Sequence, residues 1–119
     1  MEKILKQSLL YDFYGEMLTP HQRRLYEDFV LNDLSLGEIA DQQNISRQGV
    51  FDIIKRCDKK LGIYEEKLHL IEKFNHTKKR IDEISQFAKE INNSSGNQDK
   101  IEEYASYILH ITDKIIEDL

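Results

Sequence analysis

Apolar residues recur at intervals of three and four along most of the chain, the period of helices with one buried side. Leu5, Leu9, Leu10, Phe13, Met17 and Leu18 predict a first helix over about residues 3–18. The stretch TPHQ then opens a second helix. Thr19 is its N-cap, Pro20 takes the first helical position and Gln22 stands where a capping box needs Glu or Gln. Leu25, Phe29 and Val30 form its apolar side. Ser35 and Glu38 make a second capping box at the start of a short third helix, with Leu34 and Ile39 placed as a hydrophobic staple. After QQN, Ser46 caps a fourth helix, and Ile45 with Val50 repeats the staple. Val50, Ile53, Ile54, Cys57 and Leu61 fall within about 100° of arc on that helix.

Two capped helices joined by a few residues, the first short and carrying the small Ala40, follow the pattern of a helix-turn-helix. Farther on, Phe74, Ile81, Ile84, Ala88 and Ile91 have nearly the spacing of a coiled-coil seam. A turn rich in Asn, Ser and Gly occupies residues 92–99. Ile101, Tyr104, Ala105, Ile108, Ile111, Ile115 and Leu119 then form a last stripe. The expected chain is all-α: a helix-turn-helix domain without a wing over residues 1–62, and a C-terminal helical hairpin over 63–119. Such a hairpin is too thin to be stable alone, so it is expected to pack on the first domain or on a second copy, giving a homodimer.

The composition agrees with a helical chain, with one proline, five glycines and 33% charged residues. The single cysteine, Cys57, cannot form an internal disulfide, which fits a reducing compartment. No stretch approaches the ~20 apolar residues of a membrane span. Glu2, Asp12 and Glu16 do not suit a signal peptide, so a cytoplasmic protein is expected. A net charge of −5 argues against binding nucleic acid with the whole surface. The charge is uneven, however. Residues 46–60 hold five basic residues against two acidic ones, whereas residues 61–119 hold eight against twelve.

On the fourth helix the side opposite the apolar stripe carries Gln48, Asp52, Lys55, Arg56 and Lys59, with Arg47 and Phe51 at one margin. A mixed charged face is ordinarily just solvated. Here it follows a short capped helix across a tight turn and is basic within an acidic chain. Arg47 and Gln48 lie in the first turn, the part of a recognition helix that reaches base edges. Lys55, Arg56 and Lys59 lie where phosphate contact is natural. Asp52 repels phosphate but can accept from a cytosine amino group. These six are the candidate DNA-binding residues. Cys57 lies on the apolar side, as a packed thiol. The four histidines are scattered, with no ligand spacing for a metal, and no cofactor motif is present. His76 lacks the acidic residue and proline expected after a phosphate-accepting histidine, and the basic run at 76–80 meets Asp82 and Glu83 at once. Glu65–Glu66 and Glu102–Glu103 read as surface charge. No catalytic constellation is found, so no enzyme is expected.

Residues 34–61, LSLGEIADQQNISRQGVFDIIKRCDKKL, resemble region four of bacterial sigma factors, a helix-turn-helix module that reads promoter DNA. FYGEMLTPHQ, LSLGEIAD and SRQGVFDIIKR, within residues 1–75, are similar to the YlxM/p13-like family. That resemblance implies a helical DNA-binding-type domain, extra helices that help form a dimer, and an association with the signal recognition particle pathway. It implies a regulator with no enzymatic activity, and it puts the DNA-facing positions on Arg47, Gln48, Asp52, Lys55 and Arg56. The chain departs from the family at Gly49, usually Ala, and at Ile53, commonly Asn. An adaptor that keeps the fold as a scaffold and binds a component of that particle is the rival expectation; RNA is the rival ligand. Replacing Ser46 by Ala removes the N-cap of the fourth helix. Urea unfolding is expected to show a loss of about 1 kcal/mol.

Overall fold

The computed structural model describes residues 2–119. The regular structure of the described residues consists of six α-helices and one 3₁₀ turn, without a strand among them. They are α1 (Glu2–Tyr14), the turn Gly15–Met17, α2 (Pro20–Val30), α3 (Leu36–Gln43), α4 (Arg47–Leu68), α5 (Leu70–Asn92) and α6 (Gln98–Glu117). The chain divides into two compact units, one ending at Ile71 and the other running from Glu72 to Leu119.

The first unit is built around α4, whose Val50, Ile54, Cys57 and Leu61 are buried. Leu10 and Tyr14 of α1, Leu25, Tyr26 and Val30 of α2, and Ile39 and Ala40 of α3 pack around them. Each large aliphatic side chain withdrawn in this way is worth about 1.5–3 kcal/mol. Both predicted capping boxes are present. Thr19 Oγ1 accepts from the Gln22 N–H at 3.2 Å, and Ser35 Oγ accepts from the Glu38 N–H at 3.1 Å.

Three expectations need correction. The first helix ends at Tyr14, not Leu18, because the chain tightens into the 3₁₀ turn at Gly15. Three residues per turn instead of 3.6 changes the phase. Leu18 therefore points inward while Met17 is half exposed, and Leu5 is 64% exposed near the helix start. Gly15 is buried, and a Cβ there would lie 2.9 Å from the Tyr11 ring. Second, Glu65 of α4 is not surface charge but half buried and hydrogen-bonded. The helix that carries it runs past Leu61, the last residue of the apolar stripe, passes through Gly62, where a Cβ would meet nothing within 4 Å, and ends at His69, a left-handed residue with φ 56°.

The reason for the extra length is Glu65, read from sequence as surface charge. Its carboxylate accepts from the Tyr14 hydroxyl at 2.6 Å and from the Ile71 N–H at 2.9 Å. Tyr14 Oη in turn accepts from the Leu70 N–H at 3.2 Å. The first amides of α5, which have no partner within their own helix, are thus held by α1 and α4. Those bonds offset the ~1–2 kcal/mol that a non-glycine residue pays in the left-handed region.

The second unit is an antiparallel hairpin. Phe87 packs between Tyr104 and Tyr107, with ring centroids 5.9 and 5.1 Å apart, while Arg80 pairs with Asp118 at the other end. Asn97 caps α6 through the Lys100 N–H, after a turn in which Gly96 takes φ 82°. The third correction concerns register. The inner side of α5 runs through Arg80, Ile84, Phe87 and Ile91, whereas Ile81 is 54% exposed and Ala88 is exposed. The packing of Phe87 on Tyr104 and Tyr107 and the pairing of Arg80 with Asp118 set this register, which turns Ile81 and Ala88 outward.

Gly15→Ala forces the Tyr11 ring to shift, although that ring is held by Tyr26 and by hydrogen bonds with Glu27 and Arg23. A loss of about 1–3 kcal/mol is expected in denaturant unfolding.

Candidate nucleic-acid interface

The turn between α3 and α4 is three residues long and is fixed at each of them. Asn44 adopts φ 56°, ψ 43°, a conformation that Asn tolerates better than most residues, and its N–H donates to the Ala40 carbonyl. The Ile45 N–H donates to the same carbonyl at 3.1 Å. Ser46 Oγ accepts from the Gly49 N–H at 2.9 Å, so α4 begins at Arg47 as the sequence requires. The buried Ala40 keeps the crossing of the two helices close.

Arg47, Gln48, Asp52, Lys55, Arg56 and Lys59 are all exposed. Gln48 Nε2 donates to Asp52 Oδ1 at 3.0 Å, so these two side chains are presented together. Arg47 runs beside α3; its Nε lies 3.7 Å from where a Cβ on Gly37 would sit. Lys55 Nζ lies 5.1 Å from the centroid of the Phe51 ring, a cation–π contact. Leu36, Arg47, Gln48 and Phe51 line one shallow concavity.

The two carboxylates of residues 46–60 go to different places. Asp52 stays outside. Asp58 turns inward, accepting from the Tyr26 hydroxyl at 2.6 Å and from Gln7 Nε2 at 3.0 and 3.1 Å. The exposed groups of this segment, Arg47, Lys55, Arg56 and Lys59 against Asp52, therefore keep the excess of three positive charges, with Asp52 as their one carboxylate. Sequence reasoning could not place Asp58, because its partners lie 32 and 51 residues away. The Phe51–Lys55 contact was within reach: an aromatic and a lysine four apart on a helix are neighbours.

Burial, followed by the hydrogen bond to Asp58, raises the Tyr26 hydroxyl above its ordinary value. Burial, and after it the Asp58 charge, pushes the Cys57 thiol up to about 11. Cys57 is a protonated packing group, as its place on the apolar side predicts. No group of His, Cys, Asp and Glu among the described residues could hold a metal ion. None of the helices is long and apolar enough to cross a membrane.

A fold of this kind, with a capped short helix, a three-residue turn and an exposed basic helix, agrees with the family comparison. Residues 1–104 match the family model described as "Putative helix-turn-helix protein, YlxM / p13 like". The chain belongs to this family. It is 48% identical over 85 residues to a UPF0122 protein of Caldanaerobacter subterraneus subsp. tengcongensis, covering 71% of this chain and 73% of that one. Over 95 residues it is 48% identical to a UPF0122 protein of Acetivibrio thermocellus, covering 80% and 81% respectively. A UPF0122 protein of Geobacillus sp. is 44% identical over 87 residues, or 73% and 79%.

Gly49 and Ile53, where the resemblance leads one to expect Ala and Asn, have local settings in this YlxM/p13-like chain that suit them. A Cβ at Gly49 would lie 3.1 Å from Ser46 Oγ, so glycine leaves room for the capping oxygen. Ile53 is half buried against the core, where an apolar chain is at home.

Stability should fall as pH rises from 9.0, the ordinary thiol value, towards about 11. The unfolded thiol ionises first and the native one stays protonated, so this contribution is complete below the lower value and lost above it. Urea midpoints measured across that range check the sign, and Cys57→Ala should flatten the part due to the thiol.

Proposed function

We propose that this protein is a DNA-binding regulator of helix-turn-helix type. The supporting observation is the sorting of charge on α4: Asp58 faces Tyr26 and Gln7, while Arg47, Lys55, Arg56 and Lys59 stay exposed with Asp52 as the acid among them. In this reading Lys55, Arg56 and Lys59 meet backbone phosphates, and Arg47 and Gln48 meet base edges. Gln48 can still read adenine while bonded to Asp52. Its second Nε2 hydrogen is free to donate to N7, and its Oε1 to accept from the N6 amino group. Asp52 serves as the positioning group for that amide. No enzymatic activity belongs to this reading.

Affinity should fall with salt by a log–log slope of about −0.9 for each phosphate neutralised. Lys59→Ala is expected to weaken all duplexes alike and make that slope shallower by ~1, whereas Arg47→Ala should erode preference at one base position. Gel shifts with duplexes selected from a random pool at two salt concentrations decide it. Salt-independent affinity, or no shift with any duplex, overturns the reading.

The hairpin supports a homodimer. Ile81 and Ala88 of α5, and Leu109 and Ile116 of α6, each repeat at seven residues on the exposed side of their helix. Counted round two antiparallel helices, both stripes fall on the same side of the hairpin. A second copy would cover that apolar side with an identical one. Sedimentation at micromolar concentration is expected to give a dimer, and Leu109→Asp combined with Ile116→Asp a monomer. A monomer from the unaltered chain would count against it.

The same exposed stripe, with the acidic excess of residues 61–119, favours a second reading: an adaptor of the signal recognition particle pathway that binds one of its components. Capture of such a component, lost on altering Leu109 and Ile116, by a protein that shifts no DNA would favour the adaptor.

A further inference from the structure

Phe51 stands out on the presenting side of α4. It lies outside the buried core cluster and is 37% exposed, one helical turn from both Gln48 and Lys55. The ring is not loose. Lys55 Nζ sits 5.1 Å from its centroid, and the ring forms a wall of two concavities. One is shared with Arg47 and Gln48; the other is a cleft lined by Phe29 and Ile54 but also by Lys3, Gln7, Lys55 and Asp58. A fixed apolar edge is thus set beside the two side chains best placed to meet bases, among residues that are otherwise polar.

We infer that Phe51 is a specificity-determining residue that packs against the C5-methyl group of a thymine in the major groove. The inference rests on the DNA-binding reading and names what that reading leaves open. Thymine is the one base with an apolar group in that groove, and phenylalanine is among the side chains that meet it. Gln48 is suited to adenine, whose partner across the pair carries this methyl, and Gln48 precedes Phe51 by three positions on the same side of α4. Lys55 holds the ring while its ammonium remains available to a phosphate. The preferred site therefore contains an A·T pair, or a thymine next to one. RNA is disfavoured as the ligand, since uracil lacks the methyl and the A-form major groove is too narrow for side chains to read.

The test takes the tightest duplex recovered from a random DNA pool and remakes it with each thymine in turn replaced by deoxyuridine. Removing the contacted methyl should weaken binding by the unaltered protein about fourfold, the worth of one buried methyl. Phe51→Ala should bind the thymine and deoxyuridine duplexes equally, and Phe51→Leu should keep part of the difference. Arg47→Ala should keep all of it. Unfolding curves of the Phe51 variants show whether the exposed ring also serves the fold. The inference is overturned if no thymine position is sensitive in the unaltered protein, or if sensitivity persists in Phe51→Ala. It is also overturned if that variant loses stability while the thymine-to-deoxyuridine ratio stays as it was. If no duplex shows salt-dependent binding, the DNA-binding reading fails first, before any deoxyuridine is tried.

Discussion

The first unit depends on how α1 is locked to α4. Gln7 and Tyr14, seven residues apart on α1, meet Asp58 and Glu65, seven apart on α4, so the helices run parallel with matched registers. Tyr26 joins from α2 through Asp58. A half-buried carboxylate costs several kcal/mol unless it is well bonded, and here each accepts from more than one donor. Gln7 shows what the lock demands. Its Nε2 serves Asp58 while its Oε1 is left buried without a partner, a cost of about 1–3 kcal/mol. An amide cannot offer its donor here without bringing its acceptor along.

That lock fixes the rotation of α4, and the rotation decides what the helix presents. With Asp58, Cys57 and Leu61 turned inward, Gln48, Asp52, Lys55, Arg56 and Lys59 can only lie outside, given about 100° per residue. The carboxylate that would have opposed an anion on this surface is used to hold the helix. Fold and charge display are therefore one arrangement: the hydrogen bonds that orient α4 also remove its second negative charge from the exposed side.

Much of the first unit was legible in the sequence because its signals are local. Thr19 with Gln22, Ser35 with Glu38, and Ser46 with Gly49 each act within three residues, and all three caps are formed. The apolar side of α4 followed from period alone. Asp58 and Glu65 were illegible for the opposite reason: each is explained by a partner 51 positions earlier, and an acidic residue among lysines looks solvated until that partner is known. Register in the hairpin was misread for a third reason. Counting aliphatics picked Ile81 and Ala88, whereas packing picked Phe87 and the stem of Arg80. The six candidate site residues could be placed on the outside of α4, and the contacts of Gln48 with Asp52 and of Lys55 with Phe51, each between residues four apart, were within reach of the same spacing.

The division of labour along α4 also says where change is tolerated. Arg47, Arg56 and Lys59 are exposed and lie outside the network that orients the helix, so a substitution there alters what is presented without altering how α4 is held. Asp58 is the reverse case. Its removal would leave Gln7 Nε2 and the buried Tyr26 hydroxyl without their acceptor, and the damage would reach the presenting side only through the rotation of α4. A loss of binding at Asp58 would therefore come with a loss of stability, while one at Lys59 would not. This separation lets affinity for an anionic groove be measured apart from folding, and it exists because Asp58 is engaged by Gln7 and Tyr26 while Arg47, Arg56 and Lys59 stay exposed.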